Sequence, residues 1–180
     1  MQVTENKTVD IIELDVRGLD RRIGELGSLT QNCVTAGASI GFILPFERLQ
    51  AEAFWSVTIA PELKNNSLLL LVALVDGKLV GTGLLAHSMP ANQPHRAEIR
   101  KVMVHPNWRR RGIARMLMAE LEHRAHALGK TLLTLDTRTG DAAEPLYASM
   151  GYQTTGVIPG YCIDAITGAL DGTTIMYKNI

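Results

Sequence analysis

A mixed α/β fold is what this sequence predicts, and three observations predict it. Apolar, β-rich runs at 67–75, 78–86 and 97–104 lie between stretches of helical apolar spacing at 19–35 and 112–128. Asp76-Gly77 joins the first two runs, a dipeptide whose backbone suits the tight turn of a hairpin. With 46% apolar and 20% charged residues in a chain of 180, the composition is that of one globular domain, 1–180, with a sizeable core.

The elements follow in order. A first strand is expected at 9–14, where β-branched residues cluster. Leu19, Ile23, Leu26, Leu29 and Val34 recur at helical spacing and predict one helix over 19–35. Two glycines interrupt 37–42, which reads as a loop. Pro45 suits the first turn of a second helix, with Phe46, Leu49, Ala53, Phe54 and Val57 as its apolar stripe. The helix 112–128 ends at Gly129, and the next strand is 131–136. Asp141 is placed to cap a helix running to Met150, with Pro145 tolerated in its first turn. Strands at 152–158 and 173–178, joined by a looser segment 159–171, finish the chain.

The charge balance narrows the function classes. Eighteen basic and eighteen acidic residues give a formal net charge of zero, which argues against a nucleic-acid binder. The longest apolar run, 68–75, is far too short to span a bilayer and reads as a buried strand. Cys33 and Cys162 have neither metal-ligand nor disulfide-framework spacing, so no metal is expected. Reduced thiols and a polar stretch at 1–10 lead to the expectation of a cytoplasmic protein.

The basic character is local. Val102 to Val104 end an apolar strand, His105-Pro106-Asn107-Trp108 break it, and Arg109, Arg110, Arg111 and Gly112 precede the amphipathic helix. Free N–H groups at a helix N-terminus carry partial positive charge, and a glycine lets an oxyanion approach them. Three guanidinium groups add full charges of the same sign. No Gly-Lys-Ser/Thr follows, and no G-x-G-x-x-G is present, so neither nucleotide fingerprint applies.

The spacing Arg109-x-x-Gly112-x-Ala114 resembles the pyrophosphate loop of the GNAT N-acetyltransferase family. Ala143-x-x-Leu146-Tyr147-x-x-Met150-Gly151-Tyr152 is similar to a second segment of that family. The resemblance implies the GNAT fold: a mixed, mostly antiparallel central sheet flanked by helices, with two N-terminal helices. It also implies acetyl-CoA as donor, with direct transfer to an amine and no acetyl-enzyme. On this reading Val102, Met103 and Val104 meet the pantetheine arm, and the Val104 amide holds the oxyanion. Arg109, Arg110, Arg111, Gly112, Ile113 and Ala114 cradle the phosphates. Many members carry Asn seven residues before the tyrosine, where this chain has Gly140. Gly37 to Phe42, Arg96 to Lys101, Leu135-Asp136-Thr137 and Ile158 to Cys162 together are similar to the tabtoxin-resistance branch, whose acceptor is tabtoxinine-β-lactam.

Acetyl transfer needs a base, an oxyanion donor and an acid. The family places a tyrosine at the coenzyme sulfur, which makes Tyr147 the candidate acid; an aromatic core role is its alternative. Glu98 and Asp136 are the candidate bases or ammonium ligands, because strands 97–104 and 131–136 would set both acids on one cleft. An ion pair with Arg96, Arg100 or Lys101 would serve Glu98 equally, and a turn role would serve Asp136. Ser39, Phe42 and Tyr161 are candidate acceptor contacts; Ile40, Trp55 and Trp108 could wall the pocket or pack in the core. Cys33 and Cys162 lack any activating motif for nucleophilic catalysis. The expected function is N-acetylation of a small amine, with a homodimer left open. A peptide or protein N-acetyltransferase and a non-catalytic acyl-CoA sensor are the rivals.

Overall fold

The computed structural model describes residues 8–180; most of the polar stretch at the start of the chain lies outside them. Seven strands form one sheet: β1 (Val9–Leu14), β2 (Leu68–Val75), β3 (Lys78–Ala86), β4 (Arg96–Val104), β5 (Leu132–Arg138), β6 (Gln153–Ile163) and β7 (Leu170–Asn179). Their order across the sheet is β1-β2-β3-β4-β5-β7-β6, with every neighbouring pair antiparallel except β4 and β5. The helices are α1 (Val16–Arg21), α2 (Ile23–Thr35), α3 (Arg48–Ala53), α4 (Ala60–Lys64), α5 (Ile113–Ala127) and α6 (Ala143–Ser149).

Period-two alternation along β2 sends side chains into two cores. Leu69, Leu71, Ala73 and Val75 pack with Ile113, Leu117, Met118 and Leu121 of α5 on one face. Leu68, Leu70, Val72 and Leu74 pack with Leu19, Leu26 and Leu29 of α1 and α2 on the other. This explains why the strand reads as an unbroken apolar run: both of its faces are covered. α5 packs closely on β3: a Cβ on Gly83 would lie 2.8 Å from Leu121 Cδ1, so that side chain would have to shift to admit it.

Several expectations are corrected. The helix expected over 19–35 is two helices, which part at Arg22, where φ is −111°. Pro45 precedes the second helical stretch, and α3 begins at Arg48. A π-turn, Phe54–Ile59, then links α3 to α4. The buried stripe is Ala51, Trp55 and Ile59, and Leu49 and Val57 are exposed at 76% and 72%. Trp55 is fully buried, its Nε1 donating to Thr30 Oγ1 at 2.8 Å, so it is a core residue and not a pocket wall. The segment 159–171 is ordered mostly as strand: β6 runs on to Ile163 and pairs with β7 from Leu170. Asp141 does not cap α6. Its Oδ1 accepts from the adjacent Ala142 N–H at 2.7 Å and its Oδ2 lies 3.4 Å from Arg138, while Glu144 accepts from the Gly140 N–H.

Candidate active site

The site grows from a fault in β4. Leu84 lies opposite Arg100 and Thr82 opposite Met103, so β4 carries one residue more than β3 between these rungs. The extra residue is a β-bulge at Lys101, whose φ is +51°, and Thr82 Oγ1 donates to the Lys101 carbonyl at 3.1 Å. The bulge inverts the side-chain phase: Ile99 belongs to the α5 core, whereas Met103 belongs to the α2 core. It also bends β4 away from β5. The two strands pair only at Arg96↔Leu132, Ala97↔Leu133 and Glu98↔Thr134, and beyond that rung they separate.

A cleft of about 740 Å³ occupies the split. It runs through the sheet, because its lining comes from both faces. Glu98 alternates with the α5-core residues Ala97 and Ile99, and Asp136 follows Leu135 of that core, so both carboxylates belong to the α2 face. Tyr147 of α6 and the N-terminus of α5 reach the cleft from the opposite side.

On the α5 side, the turn matches an anion cradle. Gly112 has φ +79° and forms the N-cap of the fifteen-residue α5, with no side chain capping the first-turn N–H groups. A Cβ built on Gly112 would meet nothing within 4 Å, so open space faces the turn. Arg109 Nε donates to the Val104 carbonyl at 3.2 Å, tying the turn to β4. His105 N–H donates to Val80 at 2.8 Å, and Val104 pairs with Gly81. Antiparallel alternation therefore turns the Val104 N–H away from β3, into the split. Val102, Met103, Arg109, Arg110, Ile113 and Ala114 line the cleft with it. Arg111 does not: its guanidinium stacks 4.6 Å from the Trp108 ring centroid and donates to the Asn107 carbonyl.

Tyr147 is 6% exposed, with its ring 6.0 Å from that of Tyr152. Burial, with the charges of Asp141 and Asp136, pushes its phenol up to about 12. It is thus both a core aromatic and a cleft residue. Glu98 lies 3.7 Å from Arg96, a loose ion pair, while Arg100 is drawn to Glu62 at 2.7 Å. Asp136 Oδ2 lies 3.0 Å from the Thr173 hydroxyl. Ser39 and Tyr161 line the acceptor side, where Ser39 Oγ is 3.5 Å from Cys162 Sγ. Phe42 lies off the wall: its ring stacks on Phe46 at 4.5 Å, beneath the Lys101 ammonium. Cys33 reaches the cleft edge, but burial pushes its thiol up, and it donates to the Val104 carbonyl.

Lys101, Arg138 and Thr173 are cleft residues that the sequence reading passed over. For Arg138 the signal was its place two residues beyond Asp136 on the same strand face. For Lys101 no signal existed, because a bulge is invisible to a period-two pattern.

A split parallel pair, an uncapped helix N-terminus beside it and one cleft lined by Tyr147, Glu98 and Asp136 are an arrangement suited to acyl transfer. The sequence matches the Acetyltransferase (GNAT) family over residues 40–152, and the chain belongs to that family. It is an N-acetyltransferase, and acetyl-CoA is its acetyl donor. It is 31% identical over 124 residues to an uncharacterized N-acetyltransferase from the hisH-hisA intergenic region of Azospirillum brasilense, covering 67% of this chain and 71% of that one. The fold is shared with a putative acetyltransferase from Acinetobacter baylyi (TM-score 0.80, 18% identity, 99% and 95% of the two chains). It is shared also with a putative acetyltransferase of Salmonella typhimurium solved with acetyl-CoA (TM-score 0.74, 18% identity, 95% and 93%). A ribosomal-protein-alanine N-acetyltransferase from Brucella melitensis gives TM-score 0.76 at 21% identity, over 95% and 99%. The family model and the Azospirillum relative carry the family and the solved structures carry the fold; none carries the tabtoxin-resistance branch. No helix among the described residues is long and apolar enough to cross a membrane.

Proposed function

We propose that this chain transfers acetyl directly from acetyl-CoA to the amine of a small, amino-acid-like molecule. The observation that carries the reading is the cleft through the sheet, with the phosphate turn and Tyr147 on one face and Glu98 and Asp136 on the other. Donor and acceptor then approach from opposite faces and meet in the split, and no covalent relay is needed.

The residues fit the donor. The N–H groups of 113 and 114, with Arg109 and Arg110, take the phosphates at an electropositive helix end. Met103 and Val104 offer backbone groups for strand-like pairing with the amide-bearing arm. When bound, acetyl-CoA supplies an activated thioester carbonyl. The Val104 N–H points into the split, where it stabilises the oxygen as negative charge develops. Glu98 and Asp136 hold the acceptor ammonium and take its proton, directly or through water. The amine nitrogen bonds to the acetyl carbon, the carbon–sulfur bond breaks, and the Tyr147 hydroxyl gives its proton to the departing sulfur. Because burial keeps that phenol protonated, the acid is in the right form at neutral pH.

The test is release of free coenzyme A thiol from acetyl-CoA against a panel of amines that includes tabtoxinine-β-lactam. Turnover of small amines supports the reading. Activity only on peptide or protein amines would replace it with the protein-acetylating alternative. Coenzyme A binding without turnover of any amine would make the chain a sensor. Activity on other amines but not on tabtoxinine-β-lactam would retain the enzyme and remove that substrate.

A further inference from the structure

Three cations border the acceptor side of the cleft, and two are already neutralised. Arg100 pairs with Glu62 at 2.7 Å. Arg138 pairs with Asp164 at 2.7 Å and lies 3.4 Å from Asp141 and 3.6 Å from Asp171. Lys101 alone among these three has no carboxylate within ion-pair distance among the described residues. Its Nζ lies 5.9 Å and 5.8 Å from the centroids of Phe42 and Phe54, and 3.5 Å from where a Cβ on Gly41 would stand. The aromatic pair and the left-handed bulge hold an ammonium at the cleft with its hydrogen-bonding capacity unspent.

The acidic side is the complement. Asp136 lines the same cleft, and its carboxylate is met by the Thr173 hydroxyl rather than a cation within ion-pair distance. One unspent positive charge and one unspent negative charge therefore face a common space. A simple amine or polyamine would satisfy Asp136 and leave Lys101 desolvated. A dipolar molecule satisfies both.

We propose that Lys101 binds a carboxylate on the acceptor, making this chain selective for amino acids or their close analogues over the corresponding plain amines. The inference rests on the functional reading above, in which Glu98 and Asp136 receive the reacting amine. Burial and the Arg100 charge lower the Lys101 ammonium, with Asp136 opposing them; a carboxylate held beside it would act in the same sense as Asp136.

The experiment compares matched pairs by thiol release: L-lysine with cadaverine, L-methionine with 3-methylthiopropylamine, and L-phenylalanine with phenethylamine. At least one pair is expected to show wild-type kcat/KM favouring the carboxylated member by ~10- to 100-fold, the scale of one charge-assisted hydrogen bond. Lys101→Met is expected to collapse that ratio toward one, mainly through KM of the carboxylated member, and Lys101→Arg to restore part of it. A wild-type ratio at or below one in every pair that turns over would overturn the inference and leave the acetyltransferase reading standing. So would an unchanged ratio in Lys101→Met. If no amine turns over at all, the functional reading falls and takes the inference with it. Because the wild-type ratio is itself decisive, a variant that fails to fold does not remove the test.

Discussion

Glu98 lies opposite Thr134 in the last paired rung between β4 and β5, so it stands at the apex where the sheet divides. Asp136, two residues further along β5, faces the same side beyond that apex. The two carboxylates are therefore set by strand register and not by loop conformation. Replacing either with its amide keeps the shape and removes the proton acceptor. Glu98→Gln and Asp136→Asn are each expected to lower kcat/KM for the amine by ~10²-fold, with KM for acetyl-CoA little changed. Steady-state kinetics across pH measure this. If neither variant alters the acceptor kinetics, the assignment of both residues fails.

On the proposed mechanism, Tyr147 couples catalysis to alkaline stability. Tyr147→Phe preserves the ring in the α5 core and is expected to lower kcat by ~10²-fold with saturating acetyl-CoA. The same variant changes the response to pH. The folded phenol is raised from 10.0 to about 12. Below pH 10 it is protonated in both folded and unfolded chains, so its contribution is intact. Between pH 10 and 12 the unfolded chain gives up this proton first, and native stability falls by an amount on the order of 3 kcal/mol. Urea unfolding at pH 8 and pH 11 should show part of this loss disappear in Tyr147→Phe. Tyr152, also raised by burial, retains its own share in the same direction.

The parts legible in the sequence share a cause. The strand–turn–helix from Val102 to Ala127 is local, and its glycine, arginines and apolar spacing state it directly. Two apolar, β-rich runs joined by Asp76-Gly77 likewise gave the hairpin. What escaped depends on departures from ideal periods. The π-turn at 54–59 interrupts the helical stretch, whose buried positions are Ala51, Trp55 and Ile59, so the stripe drawn through Leu49 and Val57 misses the core. The bulge at Lys101 breaks the alternation of β4 and turns that lysine toward a cleft which a regular strand would have denied it. Phe42 was placed near the acceptor, but its ring serves as the floor under Lys101. The strand expected at 152–158 is the first part of β6; its continuation to Ile163 escaped because this edge strand is largely exposed, so no burial pattern marks where it ends.

Cys33 offers a check on direct transfer. It borders the cleft, yet it is 1% exposed, and desolvation holds its thiol up despite the opposing Arg109 charge. At neutral pH it should alkylate with iodoacetamide more slowly than free cysteine, while the more exposed Cys162 reacts first. Cys33→Ser keeps a donor for the Val104 carbonyl and is expected to retain activity within about fivefold, because even full loss of a single neutral hydrogen bond costs only about 1 kcal/mol. A folded Cys33→Ser protein with no turnover, together with an acetylated Cys33 in the wild type, would demand a covalent intermediate and displace the direct mechanism.

Gly112 separates donor binding from chemistry. Its φ of +79° lies in the left-handed region, where an L side chain costs about 1 kcal/mol or more. A Cβ there would meet no protein atom within 4 Å, so Gly112→Ala introduces no clash in the folded chain. The methyl group would instead project into the space above the first turn of α5, where the phosphates are expected to sit. Backbone strain and lost N–H contact should together raise KM for acetyl-CoA by ~10-fold or more, with kcat changed much less. Dephospho- and desulfo-coenzyme A, used as competitive inhibitors, distinguish the phosphate sites from the thiol end. The variant should weaken both to the same degree, since each retains the pyrophosphate. A Gly112→Ala enzyme with normal KM for acetyl-CoA would place the pyrophosphate elsewhere, and the uncapped end of α5 would lose its role.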